Sequence, residues 1–528
     1  MKNSSKKKIE NAQAKANPEA SIQSFHKEAP MTRREFLSRG LVAGSGMIVA
    51  PSALSLLSNA AWGQESGIIC PAPALNTRVK TITVDLAGGW NSTGANFMAG
   101  GEGGQMDFLA DYTRFGIPAA SHPSGAGMVN DEFGIKMYEF SAFLAGLKSV
   151  TSVAARACVD GIVAGGVSND DTNTNPHNAS AGFCAAGSAG AFAYAAGSRA
   201  GGSGGNSTFA NFSYKAAFAA NQVSNINQLL SFVQAGLLAT RLGANKAKAI
   251  FESASRVSDR QIAALSSQSL PDQYKSLISC GYGDAKSLPD RYTVAQVDPR
   301  NDPDFQAVFG TVGLPANQQN FGNNADGERT AAVVAGVLGS YFTHGTISDG
   351  GYDYHGNARA ATDPTDFRAG RIVGKIIEMA YRKNQKVMIQ LVSDGAISCG
   401  TTVEQVGKLD NNGAQTGTQI GKTQAAGDNG NFGAQIFLVV NGQTPRSVLS
   451  IVKSNPIAQG RQVSAFRDRG VDTNSSLIAN NNLNLTRLAY ASWASLNGEE
   501  STIASVTGDE PFSTSSNPNK YFLFNKIT

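Results

Sequence analysis

The 528 residues are enough for one large domain or two closely packed lobes, and no long charged or proline-rich linker divides residues 64–528. Residues 1–63 hold nine of the 44 Lys and Arg residues and four of the 40 Asp and Glu residues, which leaves 35 basic and 36 acidic residues. This near-neutral remainder excludes the strongly basic surface that attracts nucleic acid, so we expect no nucleic-acid partner. The cysteines are spaced too widely for a zinc module or a CxxC redox site, at Cys70, Cys158, Cys184, Cys280 and Cys399.

The N-terminal segment has the pattern of an export signal. Two adjacent arginines and a Phe-Leu pair at residues 32–37 precede an apolar run at residues 41–57, and small residues follow the run. This order resembles a bacterial twin-arginine signal. The run contains two glycines and a proline and falls short of the roughly 20 residues that span a bilayer. We therefore expect residues 1–63 to be a removable signal, membrane contact only during export, and a periplasmic or secreted protein.

The first half of residues 64–528 alternates predicted strands with predicted helices. Residues 79–86 are rich in alternating β-branched residues and run into two glycines, which predicts a strand that ends in a tight loop. A predicted helix at 139–148 precedes a predicted buried strand at 161–167, and a polar loop that contains His177 follows this strand. Apolar residues at helix spacing predict a helical insertion at about 226–281.

The second half repeats the alternation. The predicted helices span residues 329–341, 366–382 and 477–496, and the predicted strands span residues 387–392 and 435–440. Polar loops follow the first helix, at 346–356, and the first strand, at 393–395. A loop of about forty residues, rich in Gly, Asn, Gln and Thr, is predicted between the two strands.

The alternation predicts an α/β fold with a mostly parallel sheet that helices cover on both faces. In such sheets ligands collect at the carboxyl ends of the strands. The loops predicted there hold most of the chain's candidate metal ligands, including His177, Asp353, His355 and Asp394. We therefore expect these side chains to lie in one cleft.

The motifs, taken in order, carry a family resemblance. They are the twin-arginine signal, a first strand ending in Gly-Gly, a strand followed by a His-containing polar loop, a Tyr-Asp-x-His loop before a long helix, a strand ending in an acidic residue and Gly, and Gly-Asp-x-Gly before a late strand. Their order resembles that of domain-of-unknown-function family 1501, whose exported members are similar in fold to the alkaline phosphatase and sulfatase superfamily. The resemblance implies a phosphatase-like core with metal ligands at strand ends.

The motifs of this chain depart from the family pattern at several positions. In the Tyr-Asp-x-His loop, Tyr354 replaces a threonine between Asp353 and His355. The loop that resembles Arg-Ser-His keeps His177 but lacks the arginine and serine, although Thr172 and Thr174 lie nearby. The strand end that resembles Glu-Phe-Gly-Arg keeps an acid at Asp394 and lacks the arginine. Amides replace a histidine after Asp428 and an acid in the first loop, at Asn429 and Asn91.

The surviving ligands are enough for one metal ion. The candidates are His177, Asp353, His355, Asp394 and Asp428, whereas a binuclear hydrolase holds two ions about 4 Å apart with carboxylates and imidazoles. We expect at most one divalent ion, Ca, Mg, Mn or Zn. Each residue also has a structural alternative, since Asp at a strand end caps turns and the imidazole of His355 can be held by hydrogen bonds. Thr174 is the candidate nucleophile, although the sequence fixes no base beside it.

Two functions remain open from the sequence. The first is an exported alkaline phosphatase-like protein whose eroded metal site leaves it non-catalytic or weakly active, so that it binds an envelope ligand or protein. The alternative is a metal-dependent hydrolase of phosphate or sulfate esters. The amides at Asn91 and Asn429 favour the first, because they are poor zinc ligands.

Overall fold

The computed structural model describes residues 78–168, 179–185, 193–197, 221–232, 297–310, 321–322, 325–507, 511–512 and 521–528, with three isolated positions at 249, 253 and 256. The predicted export signal, Thr174, His177 and most of the predicted helical insertion lie outside these residues. No helix in the described part of the chain combines the length and the apolar character needed to cross a membrane.

Fourteen strands lie within the described residues. They are β1 (Lys80–Ala87), β2 (Val129–Asn130), β3 (Met137–Tyr138), β4 (Val159–Gly165), β5 (Ala193–Gly197), β6 (Asn221–Gln222), β7 (Phe342–Gly350), β8 (Lys386–Val392), β9 (Ile397–Leu409), β10 (Gln415–Asp428), β11 (Ala434–Asn441), β12 (Gln462–Val463), β13 (Phe466–Arg467) and β14 (Gly470–Val471). Eight of them form the central sheet in the order β12-β4-β11-β8-β1-β7-β5-β6.

The central sheet is parallel except at one strand. β11 runs antiparallel to both of its neighbours, β4 and β8, and every other neighbouring pair in the sheet is parallel. The middle strands are buried on both sides, as expected for a sheet that helices cover on both faces, and β8 and β11 are mostly apolar, whereas β1 has buried Thr81, Thr83 and Asp85 on one side. The structure thus confirms the strands predicted at 79–86, 161–167, 387–392 and 435–440.

Helices flank this sheet. The α-helices in the described residues are α1 (Ala142–Val150), α2 (Val153–Ala157), α3 (Ser180–Ala185), α4 (Ile226–Phe232), α5 (Pro303–Phe309), α6 (Thr330–Leu338), α7 (Arg359–Arg382), α8 (Pro456–Gln459), α9 (Asn482–Asn497) and α10 (Ile503–Thr507). Short 3-10 helices span Thr113–Phe115, Ala119–Ser121, Pro299–Asn301, Gly430–Phe432 and Glu500–Thr502, and a π-helical turn spans Ala325–Arg329.

Two apolar layers hold these helices against the sheet. On one face, residues of α1, α6 and α7 form a buried cluster with strand residues such as Val84 and Leu391. On the other face, residues of α9 form a second buried cluster with strand residues such as Met388 and Phe437. Burial of apolar side chains on both faces gives the helix, sheet and helix layers that the alternation predicts.

Three local predictions need correction. The loop of about forty residues is instead the long antiparallel hairpin of β9 and β10. Part of the polar loop predicted at 346–356 belongs to β7, because Thr346, Ser348 and Asp349 are buried in the sheet. The helix predicted at 366–382 begins at Arg359, and Pro364 lies inside it.

The orientation of β11 decides which loops meet. Ala87, Gly165, Gly350 and Val392 end parallel strands on one side of the sheet, and Ala434 begins β11 on the same side, opposite Gly165. We call this side the rim. In a fully parallel sheet the residues before β11 would lie on the opposite side. The antiparallel β11 therefore places Asp428, which precedes it, at the rim.

Candidate functional site

The loop after β1 packs directly against the loop after β7. Gly88 and Gly89 have φ values of 119° and 96°, a backbone conformation that favours glycine. A Cβ atom at Gly88 would lie 2.5 Å from the backbone nitrogen of Asp353. The two glycines at the end of β1 therefore allow these two rim loops to touch.

Ser393 and Asp394, which follow β8, fasten the same β1 loop. Asp394 Oδ1 accepts a hydrogen bond from the Gly88 amide at 2.7 Å. Ser393 Oγ accepts from the Trp90 amide at 2.9 Å and donates to the Leu86 carbonyl at 2.7 Å. Asp394 is buried. The carboxylate of Asp394 thus fixes the backbone of the β1 loop at the rim. Asp394 does not belong to the group of ligand atoms described next.

Asp353, His355 and Asp428 form the main chemical feature of the rim. One ring nitrogen of His355, Nδ1, contacts Asp353 Oδ1, and the other, Nε2, lies 2.8 Å from Asp428 Oδ2. The three ligand atoms lie within 4.8 Å of one another. The side chains are 51%, 62% and 61% exposed for His355, Asp353 and Asp428. This set, called the Asp353–His355–Asp428 cluster below, is open to solvent.

The two carboxylates control the protonation of the imidazole. The hydrogen bond with Asp353, and after it the bond with Asp428, raises the pKa of His355 above its ordinary value. In the protonated ring both nitrogens donate, one to each carboxylate. A metal ion needs a neutral imidazole, so a proton and a cation compete for His355.

A buried network supports the cluster from below. The hydroxyl of Tyr354, between Asp353 and His355 in sequence, donates to Asp366 Oδ1 at 2.7 Å. The same carboxylate accepts from Trp90 Nε1 at 2.9 Å and, through Oδ2, from Asn96 Nδ2 at 3.1 Å. Burial raises the pKa of Asp366 to about 6 despite these hydrogen bonds. Tyr354 thus ties the rim loop to α7.

Comparisons with protein-family models, curated proteins and solved structures find no match to this chain. The resemblance to family 1501 therefore stays a prediction from the motifs. At a coarser level, the structure is a mixed α/β fold whose mostly parallel central sheet is flanked by helices.

The two amides at motif positions take part in local structure. Asn91 is buried, and its Nδ2 donates to the Ile397 carbonyl at 3.0 Å. Asn429 Oδ1 accepts a long hydrogen bond, 3.3 Å, from the Asn431 amide and caps the turn before β11. Both amides hold the ends of the β9–β10 hairpin, which carries Asp428.

The remaining predicted residues divide into two groups. His177 and Thr174 lie outside the described residues, so their placement beside the cluster stays a prediction. Asp353, His355 and Asp428 are brought together, and Asp394 lies one layer behind them, against Gly88.

Sequence reasoning missed the buried charges on α7. Lys422 Nζ lies 2.8 Å from Asp363 Oδ2, and Arg359 Nε donates to the Thr423 carbonyl at 2.7 Å. A signal was present, because Asp366 lies seven residues before Val373, on the apolar face of the helix. An acid at such a position predicts a buried partner.

Proposed function

We propose that this chain is an exported protein with an alkaline phosphatase-like core that binds one divalent cation weakly at the Asp353–His355–Asp428 cluster. We further propose that it acts as a binding protein for an envelope ligand or protein, with little or no hydrolase activity. One observation carries the proposal. Three oxygen and nitrogen ligand atoms from two rim loops lie within 4.8 Å of one another.

The donor set fits a single small cation. One imidazole and one carboxylate that bind directly, with a second carboxylate on the other ring nitrogen, suit Zn and Mn, and carboxylate oxygen also accepts Ca or Mg. We expect His355 Nε2 and Asp428 Oδ2 to hold the ion. Asp353, through its contact with Nδ1, then sets the ring orientation, as carboxylates often do for metal-bound histidines. Because all three side chains are exposed, water competes for the ion and binding is weak.

The same geometry disfavours a two-metal hydrolase. No second group of three acidic, histidine or cysteine ligands is found within the described residues. Asp394 is engaged with the Gly88 amide, and the amide of Asn91 with the Ile397 carbonyl. A bound ion would supply one Lewis-acid centre, whereas a two-metal site stabilises both the attacking and the leaving oxygen of an ester.

Metal binding by the mature protein tests the proposal. Chelator-treated protein is titrated with Zn²⁺, Mn²⁺, Ca²⁺ and Mg²⁺ by calorimetry, and bound metal is counted by mass spectrometry. We expect one ion per chain, and Asp428→Asn and Asp353→Asn should each weaken binding about 10- to 100-fold. Asp468→Asn, which changes an exposed acid in the β13–β14 turn, is the matched control. Binding unchanged in both cluster variants would exclude this site.

Ester hydrolysis is measured on the same samples with p-nitrophenyl phosphate and p-nitrophenyl sulfate. We expect no turnover above that of the Asp353→Asn variant. Rapid turnover that Asp353→Ala abolishes would replace the binding proposal with the metal-dependent hydrolase.

Export is tested separately. Replacement of Arg33 and Arg34 by Lys should leave the precursor in the cytoplasm with residues 1–63 attached, because the paired arginines carry the targeting information. Cell fractionation and the mass of the product measure the outcome. Normal processing of the double variant would contradict the twin-arginine assignment.

A further inference from the structure

A second polar feature lies beside the edge strand β12, and residues that precede and follow this strand line it. It is a cleft of about 420 Å³, lined among others by Glu102, Ile457, Gln462, Ala465, Asp472 and Asn474. We call it the edge cleft. Its volume is within the range of small-molecule sites.

The floor of the edge cleft is held by a saturated hydrogen-bond network. Gln462 Oε1 accepts from the Gly100 amide at 2.8 Å, and its Nε2 donates to the carbonyls of Gly100 and Ser464 at 2.7 and 2.8 Å. The residues on either side of β12, Arg461 and Ser464, have φ values of 58° and 69°, which are uncommon outside glycine. This floor is fixed in shape and offers little further hydrogen bonding.

The groups that face a ligand are at the mouth, and they are mainly acceptors. Arg467 Nη2 lies 3.2 Å from Glu102 Oε1 and 3.1 Å from Asp472 Oδ2, so one guanidinium bridges both carboxylates. Arg467 and Glu102 are 57% and 80% exposed. Ion pairs this exposed are weak, so a neutral ligand that carries hydrogen-bond donors can share the carboxylate oxygens with the guanidinium at little cost, whereas a cation is repelled by the guanidinium. The exposed Asn474 adds an amide that can both donate and accept.

We propose that the edge cleft binds a neutral polyhydroxylated ligand, a mono- or disaccharide. Carboxylates and an amide accept hydrogen bonds from neighbouring hydroxyls, and Ile457 and Ala465 provide the small apolar surface that the C–H face of a sugar contacts. A simple cation is disfavoured, because the charge of Arg467 already lies against both carboxylates. The edge cleft is distinct from the Asp353–His355–Asp428 cluster, since its lining shares no residue with it.

The test is ligand-observed saturation-transfer NMR on the mature protein, with glucose, N-acetylglucosamine and maltose as probes and putrescine as a cationic comparison. We expect transfer to at least one sugar at millimolar concentration. Glu102→Gln combined with Asn474→Ala should weaken it at least about tenfold, as expected when hydrogen bonds to a charged group are lost. Both side chains are exposed, so folding should be preserved, and circular dichroism verifies this.

Two further variants sharpen the test. Arg467→Gln should tighten sugar binding about two- to fivefold, because it removes a competing exposed ion pair. Asp428→Asn should leave sugar binding unchanged, which separates this proposal from the metal site. No transfer to any sugar, transfer to putrescine alone, or sugar transfer undiminished in the Glu102→Gln/Asn474→Ala variant would each overturn the proposal.

Discussion

Two charged regions of this protein are built from the same two elements, yet water reaches only one of them. The Asp353–His355–Asp428 cluster comes from the loop before α7 and from the end of β10. The buried charge cluster of Arg359, Asp363, Asp366 and Lys422 comes from α7 and from the middle of β10. The four residues of the buried charge cluster are each only 1% exposed.

This difference in exposure determines whether water or a ligand can replace the partner of a charged side chain. In the buried charge cluster, loss of one partner leaves a charge that neither water nor a new ligand can compensate. At the rim, water can replace any partner, so each contact is weak and the same atoms remain available to a cation. The contrast assigns stability to the buried charge cluster and binding to the Asp353–His355–Asp428 cluster.

The largest expected effect comes from breaking a buried pair. Asp363→Ala should lower the free energy of unfolding by about 3–5 kcal/mol, because the ammonium of Lys422 is left buried without its 2.8 Å partner. Asp353→Ala, in the exposed cluster, should change it by less than about 1 kcal/mol. Urea denaturation measures both. Equal losses of unfolding free energy in Asp363→Ala and Asp353→Ala would show that the buried and the exposed cluster contribute equally to stability.

A double replacement sharpens this result. Asp363→Leu combined with Lys422→Met removes both charges of this pair, so the ammonium of Lys422 is not left buried without a partner, although Arg359 loses its 4.0 Å contact with Asp363. We expect it to be less destabilising than Asp363→Ala alone. A larger loss of unfolding free energy in the double variant than in Asp363→Ala would show that lost packing, rather than an unpaired charge, causes the destabilisation.

The next effect concerns pH and Asp366. Its folded-state pKa of about 6 lies above the ordinary value of 3.8, so the folded protein holds this proton more tightly. The resulting stabilisation is fully present below pH 3.8 and is lost as pH rises through 6. The loss amounts to about 3 kcal/mol, since the shift is about two pKa units.

The measurement is the unfolding free energy of the native protein minus that of Asp366→Asn, taken from pH 4 to pH 7. The difference should fall by about 2.5 kcal/mol across this range, because part of the loss already lies below pH 4 and the amide does not titrate. Asp160, whose pKa is also raised to about 6 by burial, is present in both proteins and cancels. A difference that stays constant with pH would contradict the assignment.

The central strands could be predicted from their runs of apolar and β-branched residues, whereas the direction of β11 could not be read from its own residues. A parallel connection from β8 to β11 needs a crossover, usually a helix, and no helical pattern lies between residues 392 and 435. That absence was a signal for an antiparallel strand. The hairpin had a signal too, the Asn-Asn-Gly sequence at 411–413, where Gly413 has a φ of 81°.

The site was predictable where one short motif supplies two ligands and less so elsewhere. Asp353 and His355 are two residues apart, so any rim loop brings them together. Asp428 meets them because the β9–β10 hairpin returns the chain to the rim, where Asp428 pairs with Ile397. Asp394 has the same residue type and lies on the same rim, yet it binds the Gly88 amide, and sequence does not distinguish a turn cap from a metal ligand.

The smallest expected effect is a shift in the pKa of His355. Asp353 contributes most to raising that pKa, and Asp428 contributes next. Asp353→Asn should therefore lower the pKa toward the ordinary value of 6.5 by more than Asp428→Asn does. NMR titration of the imidazole measures the shift, and Asp468→Asn should leave the pKa of His355 unchanged.

The raised pKa of His355 means that the imidazolium contacts are present at low pH and are lost as pH rises through the folded-state value. Because the ring is exposed, this loss should leave global unfolding nearly unaffected, in contrast to Asp366. A pKa that falls equally in Asp468→Asn would show that the long-range field of the protein, rather than these two contacts, sets the charge of His355.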